Sequence, residues 1–485
     1  MKNLLSTLLT LSALAGSVYH ASAQTIHKIV DFSQVLDGVS GNLLGENYPA
    51  GRFALIGTNL WFTTQNGGTL GTGDIAIYNP VDGTVSTVAT LGTSGPGKTP
   101  WGSLTLANGL AWFTTSSGAA GGKGAIVSID TSTYALTTYS LPADGSLGSA
   151  SRSTPLLIGT NLWFLTTAGG AFSKGTLNYL NLSNGVVYKA FDLEGTNYGG
   201  QPFGSLIPFG TNYYFTTFSG GTNSASGFPN GAGTLQKLWF SNGIPYVTKL
   251  INLTTGYTAF PGGDPLPVGT NSLYLTTVGS ATQPGSIIRY DLNTGNWTNL
   301  FSFVTNAVAV TNFGKQPQYE GAPVFYNNQL YMTTFAGGTS NKGTIITFSL
   351  RSNTVTKLAD LEGSGGLALG GSPYNSGLLY QDPLTGRNRI YLPIARGGIN
   401  NPPTGYGTLL SISLPPLPIV SALTNNGSGL TLSWTGGYPP YNVDLSSDLS
   451  TPSWTTNWLS NLTNAAVDVS FRGSASFYRV SGASQ

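Results

Sequence analysis

Apolar and polar positions alternate in short runs along most of the chain, and one run recurs. Its copies consist of aromatic and aliphatic residues that end in Thr-Thr or a degenerate form of it. The first threonine of each copy, or the proline that replaces it in the seventh, lies at Thr63, Thr114, Thr166, Thr216, Thr276, Thr333 and Pro393. Self-similarity at a spacing of 50 to 60 residues predicts a tandem-repeat fold with seven units.

Each repeat contains four segments that are typical of β-strands. In the second repeat these segments are Gly102–Leu106, Leu110–Thr115, Ala125–Asp130 and Leu136–Leu141. They are rich in β-branched and aromatic residues and are bounded by turn residues. A Gly-Thr-Asn turn precedes the second segment in several repeats and suits a tight hairpin with positive φ. Four short antiparallel strands per unit indicate a propeller blade.

The two ends of the repeat region complement each other. The seventh repeat provides only three strand-like segments, Tyr374–Leu379, Ile390–Ile394 and Gly407–Leu414. A strand without a repeat, Thr25–Phe32, lies near the N-terminus and resembles the fourth strands of other repeats. Pairing it with the seventh repeat would remove an exposed sheet edge. We therefore predict an all-β fold, a seven-bladed β-propeller over 24–414 that the N-terminal strand closes.

The pattern changes after residue 414. Residues 415–418 form a Pro-rich stretch, which predicts a semi-rigid linker. Residues 419–485 contain alternating strand-like segments around Trp434, which predict a small β-sandwich.

The first 23 residues have the features of a signal peptide. Lys2 supplies the positive charge, Leu4–Ala15 the apolar core, and Ala21-Ser22-Ala23 a small-residue cleavage site. We expect a mature chain that begins at Gln24, has no membrane-spanning segment and is secreted or held at the cell surface.

Composition narrows the chemistry further. The sequence has no cysteine and two histidines, and His20 leaves with the signal peptide, so only His27 remains. Nucleophilic triads and multi-histidine metal sites are therefore not expected, and we predict no cofactor and no metal. Charged residues make up 8% of the chain without a basic cluster, which argues against a nucleic-acid partner. Asp130 and Asp291 could suggest calcium ligands, but we interpret them as caps of hairpin turns.

Several motifs together resemble a known family. The sequence Pro-aromatic-Gly-Ser-Leu is followed by Gly-Thr-Asn-Leu-Trp-Phe-Thr-Thr, a Gly-Gly loop, Lys-Gly-Thr and Asp-Leu-Glu-Gly. This order resembles the Gloeo_Verruco (GloVer) tandem repeat of exported bacterial proteins, over roughly Ile26 to Leu414. The tail is similar to fibronectin-III/Ig-like modules in Leu432-Ser433-Trp434, Ser447-Asp448-Leu449, Trp454 and Phe477–Val480. The resemblance implies export and a propeller-like repeat, and it carries no activity or catalytic residues.

Carboxylates are the remaining candidates for catalysis. Asp192/Glu194 and Asp360/Glu362 recur at one position of the repeat, which favours a structural role. Asp264 and Glu320 are not repeated, and both lie just before a first strand. If they face each other across a cleft, they could act as the acid/base pair of a glycosidase. The alternative is that both are solvated loop residues.

Aromatic residues before the first strands provide a second hypothesis. Trp101, Phe203, Tyr319 and Tyr374 lie in these loops, on the face that also carries the Gly-rich loops between second and third strands. Aromatic planes and neutral polar groups suit a neutral polysaccharide. The alternative is that the aromatic side chains wedge between blades. Trp101 is the candidate expected to be most exposed, whereas Trp61, Trp112 and Trp163 occupy repeated strand positions and are expected in the core.

Three functions follow from these observations. The first is a non-catalytic binding or scaffolding protein that recognises polysaccharide or a surface protein. The second is a carbohydrate-active hydrolase or lyase that uses Asp264 and Glu320. The third is a purely structural surface or adhesion component. We favour a non-enzymatic role because the sequence offers few catalytic side chains.

Overall fold

The computed structural model describes residues 24–32, 49, 51–68, 70–222, 231–254, 256, 258–279, 284–304, 313–317, 320–364, 368–375, 377–382, 386–398, 406–417, 419–425, 430–435, 441–446, 455–469 and 476–481. The predicted signal peptide and Tyr319 lie outside these residues. The chain divides into two compact units, one spanning Ile26–Leu414 and one that contains Pro415–Gln485. Across the described ranges, no helix combines the length and apolar character that crossing a membrane requires.

The first three sheets of the larger unit are four-stranded and antiparallel, with strands in chain order. Sheet 1 contains β2 (Ala54–Ile56), β3 (Asn59–Thr64), β4 (Asp74–Tyr78) and β5 (Val85–Thr90). Sheet 2 contains β6 (Thr105–Ala107), β7 (Leu110–Thr115), β8 (Ala125–Asp130) and β9 (Leu136–Ser140). Sheet 3 contains β10 (Leu156–Ile158), β11 (Asn161–Thr166), β12 (Thr176–Asn181) and β13 (Val186–Asp192).

Sheets 4 and 5 repeat this plan, and sheet 6 adds a fifth strand. Sheet 4 contains β14 (Ile207–Phe209), β15 (Asn212–Thr217), β16 (Thr234–Ser241) and β17 (Ile244–Asn252). Sheet 5 contains β18 (Leu266–Val268), β19 (Ser272–Thr277), β20 (Ser286–Asp291) and β21 (Trp297–Ser302). Sheet 6 contains β22 (Lys315–Pro317), β23 (Val324–Tyr326), β24 (Gln329–Ala336), β25 (Thr344–Ser349) and β26 (Val355–Asp360). Both β22 and β23 pair with β24.

Sheet 7 joins the two ends of the repeat region. It contains β27 (Leu378–Gln381), β28 (Asn388–Ile394), β29 (Thr408–Ser413) and the N-terminal strand β1 (Ile26–Asp31). Strand β1 pairs antiparallel with β29, with Ile26 opposite Ile412 and Asp31 opposite Thr408. The strand order β1-β29-β28-β27 therefore gives sheet 7 its fourth strand from the beginning of the chain.

Apolar cores lie between consecutive sheets rather than within them. One core joins Trp163 and Leu165 of sheet 3 to Phe215 and Leu238 of sheet 4. Comparable cores link the other consecutive pairs. A further core combines residues of sheet 7 and sheet 1, including Phe62, Tyr78, Tyr380, Tyr391 and Leu409. In the described residues, each of the seven sheets thus shares buried side chains with two others.

Two details of the repeat differ from the sequence prediction. The first strand of sheet 2 begins at Thr105 rather than Gly102, because Gly102 and Ser103 bond to neighbouring sheets instead of to their own. In the third repeat, Thr166 accepts a hydrogen bond from the backbone N–H of Thr176 at 2.9 Å, as Thr115 does from Ala125. Leu165 therefore replaces the first threonine, and Thr166 corresponds to the second.

The turns behave as their sequences predict. The glycines of the four Gly-Thr-Asn turns have φ between 60° and 67° (Gly57, Gly159, Gly210 and Gly269). Asp130 caps its hairpin, since its Oδ1 accepts hydrogen bonds from the backbone N–H groups of Ser132 and Thr133, both at 2.8 Å. These bonds, led by the one from the Ser132 hydroxyl, lower the pKa of Asp130.

The C-terminal unit contains two three-stranded sheets. One has the order β30-β31-β34 and the other β33-β32-β35. Their bounds are β30 (Ile419–Asn425), β31 (Leu430–Thr435), β32 (Tyr441–Ser446), β33 (Thr455–Leu462), β34 (Ala466–Val469) and β35 (Phe477–Ser481). Leu432, Trp434, Tyr441 and Val443 are buried together, so Trp434 is a core residue of this unit.

Candidate functional site

The segments that lead into the first strands of the seven sheets meet around one small cavity. We call the residues that lie two to four positions before each first strand the lead-in segments. The cavity has a volume of about 10 Å³, room for about one water molecule. Each sheet contributes a lining residue: Arg52, Trp101, Arg152, Phe203, Asp264, Glu320 and Asn375. We call these residues, together with Tyr374, the lead-in cluster.

Arg152 and Glu320 form the first ion pair of the cluster, between Arg152 Nη1 and Glu320 Oε1. The guanidinium lies between two aromatic rings, 4.2 Å from the centroid of Trp101 and 4.5 Å from that of Phe203. Cation–π attraction and the ion pair therefore act on the same side chain. The Glu320 side chain is only 3% exposed, so its charge has little access to water.

Arg52 and Asp264 form the second ion pair. The Asp264 side chain is 1% exposed and also accepts a hydrogen bond at Oδ1 from the backbone N–H of Ser205. Burial lowers the pKa of Arg52 to about 10, so the guanidinium remains charged at neutral pH. Two arginines and two carboxylates thus give the cluster no net charge.

This pairing limits what the two carboxylates can do. The lead-in cluster brings Asp264 and Glu320 to one cavity, but each is held by a different arginine. Burial raises the pKa of Glu320, and the charge of Arg152 opposes this effect. A general acid or base must reach its substrate directly or through one water. Buried and ion-paired as they are, these carboxylates are better suited to organising the cluster than to proton transfer.

Hydrogen bonds connect the lead-in segments of successive sheets. The backbone N–H of Ser103 donates to Thr154 Oγ1 at 2.8 Å, and the N–H of Thr154 donates to Ser205 Oγ at 2.9 Å. The series continues when Asp264 N–H donates to the carbonyl of Gly321 at 3.0 Å and Glu320 N–H to that of Tyr374 at 2.7 Å. Lead-in residues therefore form hydrogen bonds with the next sheet. For this reason they do not pair with the second strand of their own sheet.

Aromatic rings extend outward from the cluster. Tyr374 contacts Trp101 edge-on at a centroid distance of 6.0 Å and contacts Phe335 at 5.1 Å. Phe203 contacts Phe218 at a centroid distance of 4.6 Å with tilted rings, and Phe218 stacks on Phe260 at 4.9 Å. All six rings are half-buried. Trp101 is thus less exposed than predicted, because Arg152 covers part of one ring face.

The two arginines were not singled out from the sequence, although a signal was present. Arg152 occupies the position at which the neighbouring repeats have Trp101 and Phe203. Arg52 occupies the position of Ser103 and Ser205. Each arginine thus replaces the usual residue of its repeat position. An acidic residue occupies the same position in another repeat, Glu320 for Arg152 and Asp264 for Arg52. At each of two repeat positions, an arginine in one repeat is matched by an acidic residue in another, and this pattern would have indicated the ion pairs.

A second cavity lies on the other side of the lead-in cluster. Its volume is about 280 Å³, and Arg52, Ser103, Thr154 and Ser205 line both cavities. The remaining lining comes largely from first strands, such as Leu156, Ile207 and Leu378. The middle residues of four first strands are exposed leucines (Leu55, Leu106, Leu157 and Leu379). The lead-in cluster therefore lies between this largely apolar space and the surface around the rings of Trp101, Phe203 and Tyr374, which we call the lead-in face.

These features define a class: an all-β protein of four-stranded repeats with a neutral, ion-paired cluster where the repeats meet. No family model matches the chain, and no curated protein matches it. Solved structures similar to the chain include the extracellular domain of a hybrid two-component system from B. thetaiotaomicron, at 11% identity and a TM-score of 0.48, covering 86% of this chain and 45% of that chain. The chain thus spans less than half the length of that protein.

Two further solved structures show comparable similarity. One is an oligogalacturonate lyase from Vibrio parahaemolyticus, with 9% identity, a TM-score of 0.48, and coverage of 81% of this chain and 97% of that chain. The other is TolB from Acinetobacter baumannii, with 16% identity, a TM-score of 0.34, and coverage of 59% of this chain and 60% of that chain.

Proposed function

We infer that this chain is an exported, non-catalytic binding protein that recognises neutral polysaccharide through the lead-in face. The observation that carries the inference is a row of half-buried aromatic rings around a cluster without net charge. Aromatic planes stack on the apolar faces of sugar rings, while backbone and hydroxyl groups bind the sugar hydroxyls. Export rests on the signal-peptide features of residues 1–23.

The proposed scaffold is a seven-bladed β-propeller that β1 closes. Support comes from the seven described sheets, the pairing of β1 with β29 and the core shared by sheet 7 and sheet 1. We propose in addition that the repeats belong to the GloVer type. The C-terminal unit, with its buried Trp434, would be a fibronectin-III/Ig-like module.

A carbohydrate-active enzyme is less well supported. The two candidate carboxylates are buried and paired with Arg52 and Arg152, so neither is free to accept or donate a proton in the described arrangement. Among the described residues, no group of three or more His, Asp or Glu side chains could hold a metal ion.

The function can be tested with the mature chain and a panel of polysaccharides: cellulose, xylan, mannan, starch and polygalacturonate. Binding would be measured by pull-down, with release of reducing ends followed in the same samples. We expect Trp101→Ala and Phe203→Ala each to weaken binding roughly two- to tenfold, because an aromatic contact contributes about 0.5–1.5 kcal/mol. Tyr246→Ala is the control, since Tyr246 is an exposed aromatic residue on the outer strand β17.

Each outcome decides between the candidate functions. Binding without release of reducing ends, weakened by the two lead-in variants alone, supports the proposal. Release that Glu320→Ala abolishes would instead establish an enzyme. No binding to any of the polysaccharides would favour a structural surface component.

A further inference from the structure

A second type of cleft lies between neighbouring sheets, at the edge opposite the lead-in segments. The clearest example separates sheet 3 from sheet 4 and has a volume of about 290 Å³. It is lined by Asn161 and Trp163 of β11, Tyr179 of β12, Lys189 of β13 and Phe240 of β16. We call it the Trp163 cleft. Its place at the hairpins between first and second strands puts it away from the lead-in cluster.

The floor of this cleft contains polar atoms without a hydrogen-bond partner in the described structure. Trp163 is 3% exposed, and its indole Nε1–H has no acceptor among the described residues. The buried Oδ1 of Asn161 likewise has no donor there. Buried polar groups are almost always paired, so such atoms call for an explanation. Trp112 shows the contrast at the same repeat position, because its Nε1–H donates to the carbonyl of Ala107 at 3.2 Å.

The rest of the lining is aromatic. The ring of Trp163 lies 4.8 Å from that of Tyr179 and 5.4 Å from that of Phe240, and the latter two rings are half-buried. Lys189 lies at the rim and is paired with Asp192 at 2.8 Å, so the cleft carries no uncompensated charge from this lysine. The cleft therefore has an apolar wall, and two of its lining residues carry a buried N–H donor and a buried carbonyl acceptor that are unbonded among the described residues.

Clefts of the same composition recur between other sheets. Between sheets 4 and 5, Phe209, Tyr214 and Tyr290 line a cleft of about 560 Å³ with Lys237. Between sheets 7 and 1, Tyr78, Tyr380 and Tyr391 line one of about 280 Å³ with Arg389. The turns Gly210–Asn212 and Gly269–Thr270 border the first of these. The repeated Gly-Thr-Asn turn thus forms a cleft rim in addition to closing a hairpin.

We propose that the Trp163 cleft binds one hexopyranose unit. A sugar hydroxyl both donates and accepts, so it can pair with Trp163 Nε1–H and Asn161 Oδ1 once a small side-chain movement exposes these buried atoms. The apolar C–H groups of the ring would contact Tyr179 and Phe240. A volume at the lower end of ligand sites fits one ring rather than a chain. The unbonded Trp163 N–H and Asn161 Oδ1 distinguish this cleft from the other two, so we assign the sugar to the Trp163 cleft, and this site does not depend on binding at the lead-in face.

The test uses the ¹⁵N-labelled mature protein and the methyl glycosides of glucose, galactose, mannose and glucuronic acid. The nine tryptophans give separate indole N–H signals, and single variants assign them. We expect the Trp163 signal to shift saturably with at least one glycoside, whether or not the Trp101 signal shifts as well. Both Trp163→Phe and the milder Asn161→Ala should weaken binding about tenfold, the factor that corresponds to one hydrogen bond of about 1.4 kcal/mol.

Trp112→Phe is the matched control, because it removes an indole N–H that is already bonded, and it should leave the sugar affinity unchanged. The absence of a saturable Trp163 shift with all four glycosides would overturn the proposal. A shift confined to Trp101 would also overturn it and would instead assign sugar binding to the lead-in face.

Discussion

Single side chains at the lead-in cluster combine several interactions that are usually spread over different residues. Arg152 contacts Trp101 and Phe203 with its planar faces and pairs with Glu320 through its edge. Arginine is suited to this because its guanidinium is planar, permanently charged and less strongly hydrated than an ammonium group. Lysine could not provide the same stacked and paired geometry.

We predict that Arg152→Met destabilises the protein by roughly 3–5 kcal/mol, because it leaves the buried carboxylate of Glu320 without its partner. Methionine retains the apolar contact with the two rings, so the loss reports mainly on charge. Urea unfolding of the larger unit measures the change in the free energy of unfolding.

The control for this prediction is Arg289→Met. Arg289 pairs with Asp291 at 3.2 Å, but the two side chains are 40% and 24% exposed. Exposed pairs contribute less than about 1 kcal/mol, so this variant should unfold almost like the wild type. Equal losses in the two variants would show that Arg152 does not form a buried pair.

At the level of strands and loops, the recurring Thr-Thr motif has a structural explanation. In three repeats the first threonine (Thr63, Thr114 or Thr216) donates its hydroxyl to a lead-in carbonyl of the next sheet, as in Thr63 to Gly102 at 3.0 Å and Thr216 to Gly263 at 2.6 Å. The second accepts from the backbone of its own sheet, as Thr115 does from Ala125. One threonine thus joins neighbouring sheets and the other stabilises the following strand.

Close approach of the lead-in backbones requires glycine. A Cβ at Gly263 would lie 1.8 Å from the carbonyl oxygen of Gly321, which belongs to the backbone and cannot turn away. We predict that Gly263→Ala destabilises the protein by about 1–3 kcal/mol or more, the usual cost of an added group in a packed site. Thermal or urea unfolding measures this loss.

Gly95→Ala provides the comparison, because a Cβ at Gly95 meets no atom within 4 Å. Its effect should stay within about 0.5 kcal/mol, as for other surface substitutions. If Gly263→Ala were equally mild, the lead-in segments would have to be more loosely packed than described.

Across the seven sheets, one pairing links sequence positions that are almost 400 residues apart. Strand β1 covers the edge of β29, and Val30 and Phe32 are buried in the core that sheets 7 and 1 share. An uncovered β29 would expose unpaired N–H and C=O groups, which promote association with other chains.

We therefore predict that a mature chain without residues 24–32 unfolds at lower urea concentration and forms soluble aggregates. Size-exclusion chromatography and urea unfolding provide the measurements. Removal of the chain after Leu414 is the control, because it leaves the compact unit Ile26–Leu414 intact. A monomeric, equally stable chain without β1 would contradict the proposed closure.

The repeat, its four strands and the supply of β1 to sheet 7 could be predicted from the sequence, because each depends on local periodicity and on counting strands. Trp61, Trp112 and Trp163 were correctly placed in the core for the same reason. Hairpin turns were predictable from glycines that need positive φ. These properties depend on residues that are close in the chain.

The cluster and the clefts were decided only by the tertiary structure. Arg152 and Glu320 are 168 residues apart, and although both depart from the repeat at the same position, only the structure shows that the two charges meet. The sequence left open whether Asp264 and Glu320 lie near each other, and only the structure shows that both reach one cavity, each paired with an arginine. Similarly, Trp163 and Trp112 are indistinguishable in the repeat, and only the structure shows that the Trp112 indole N–H is bonded while that of Trp163 has no acceptor among the described residues.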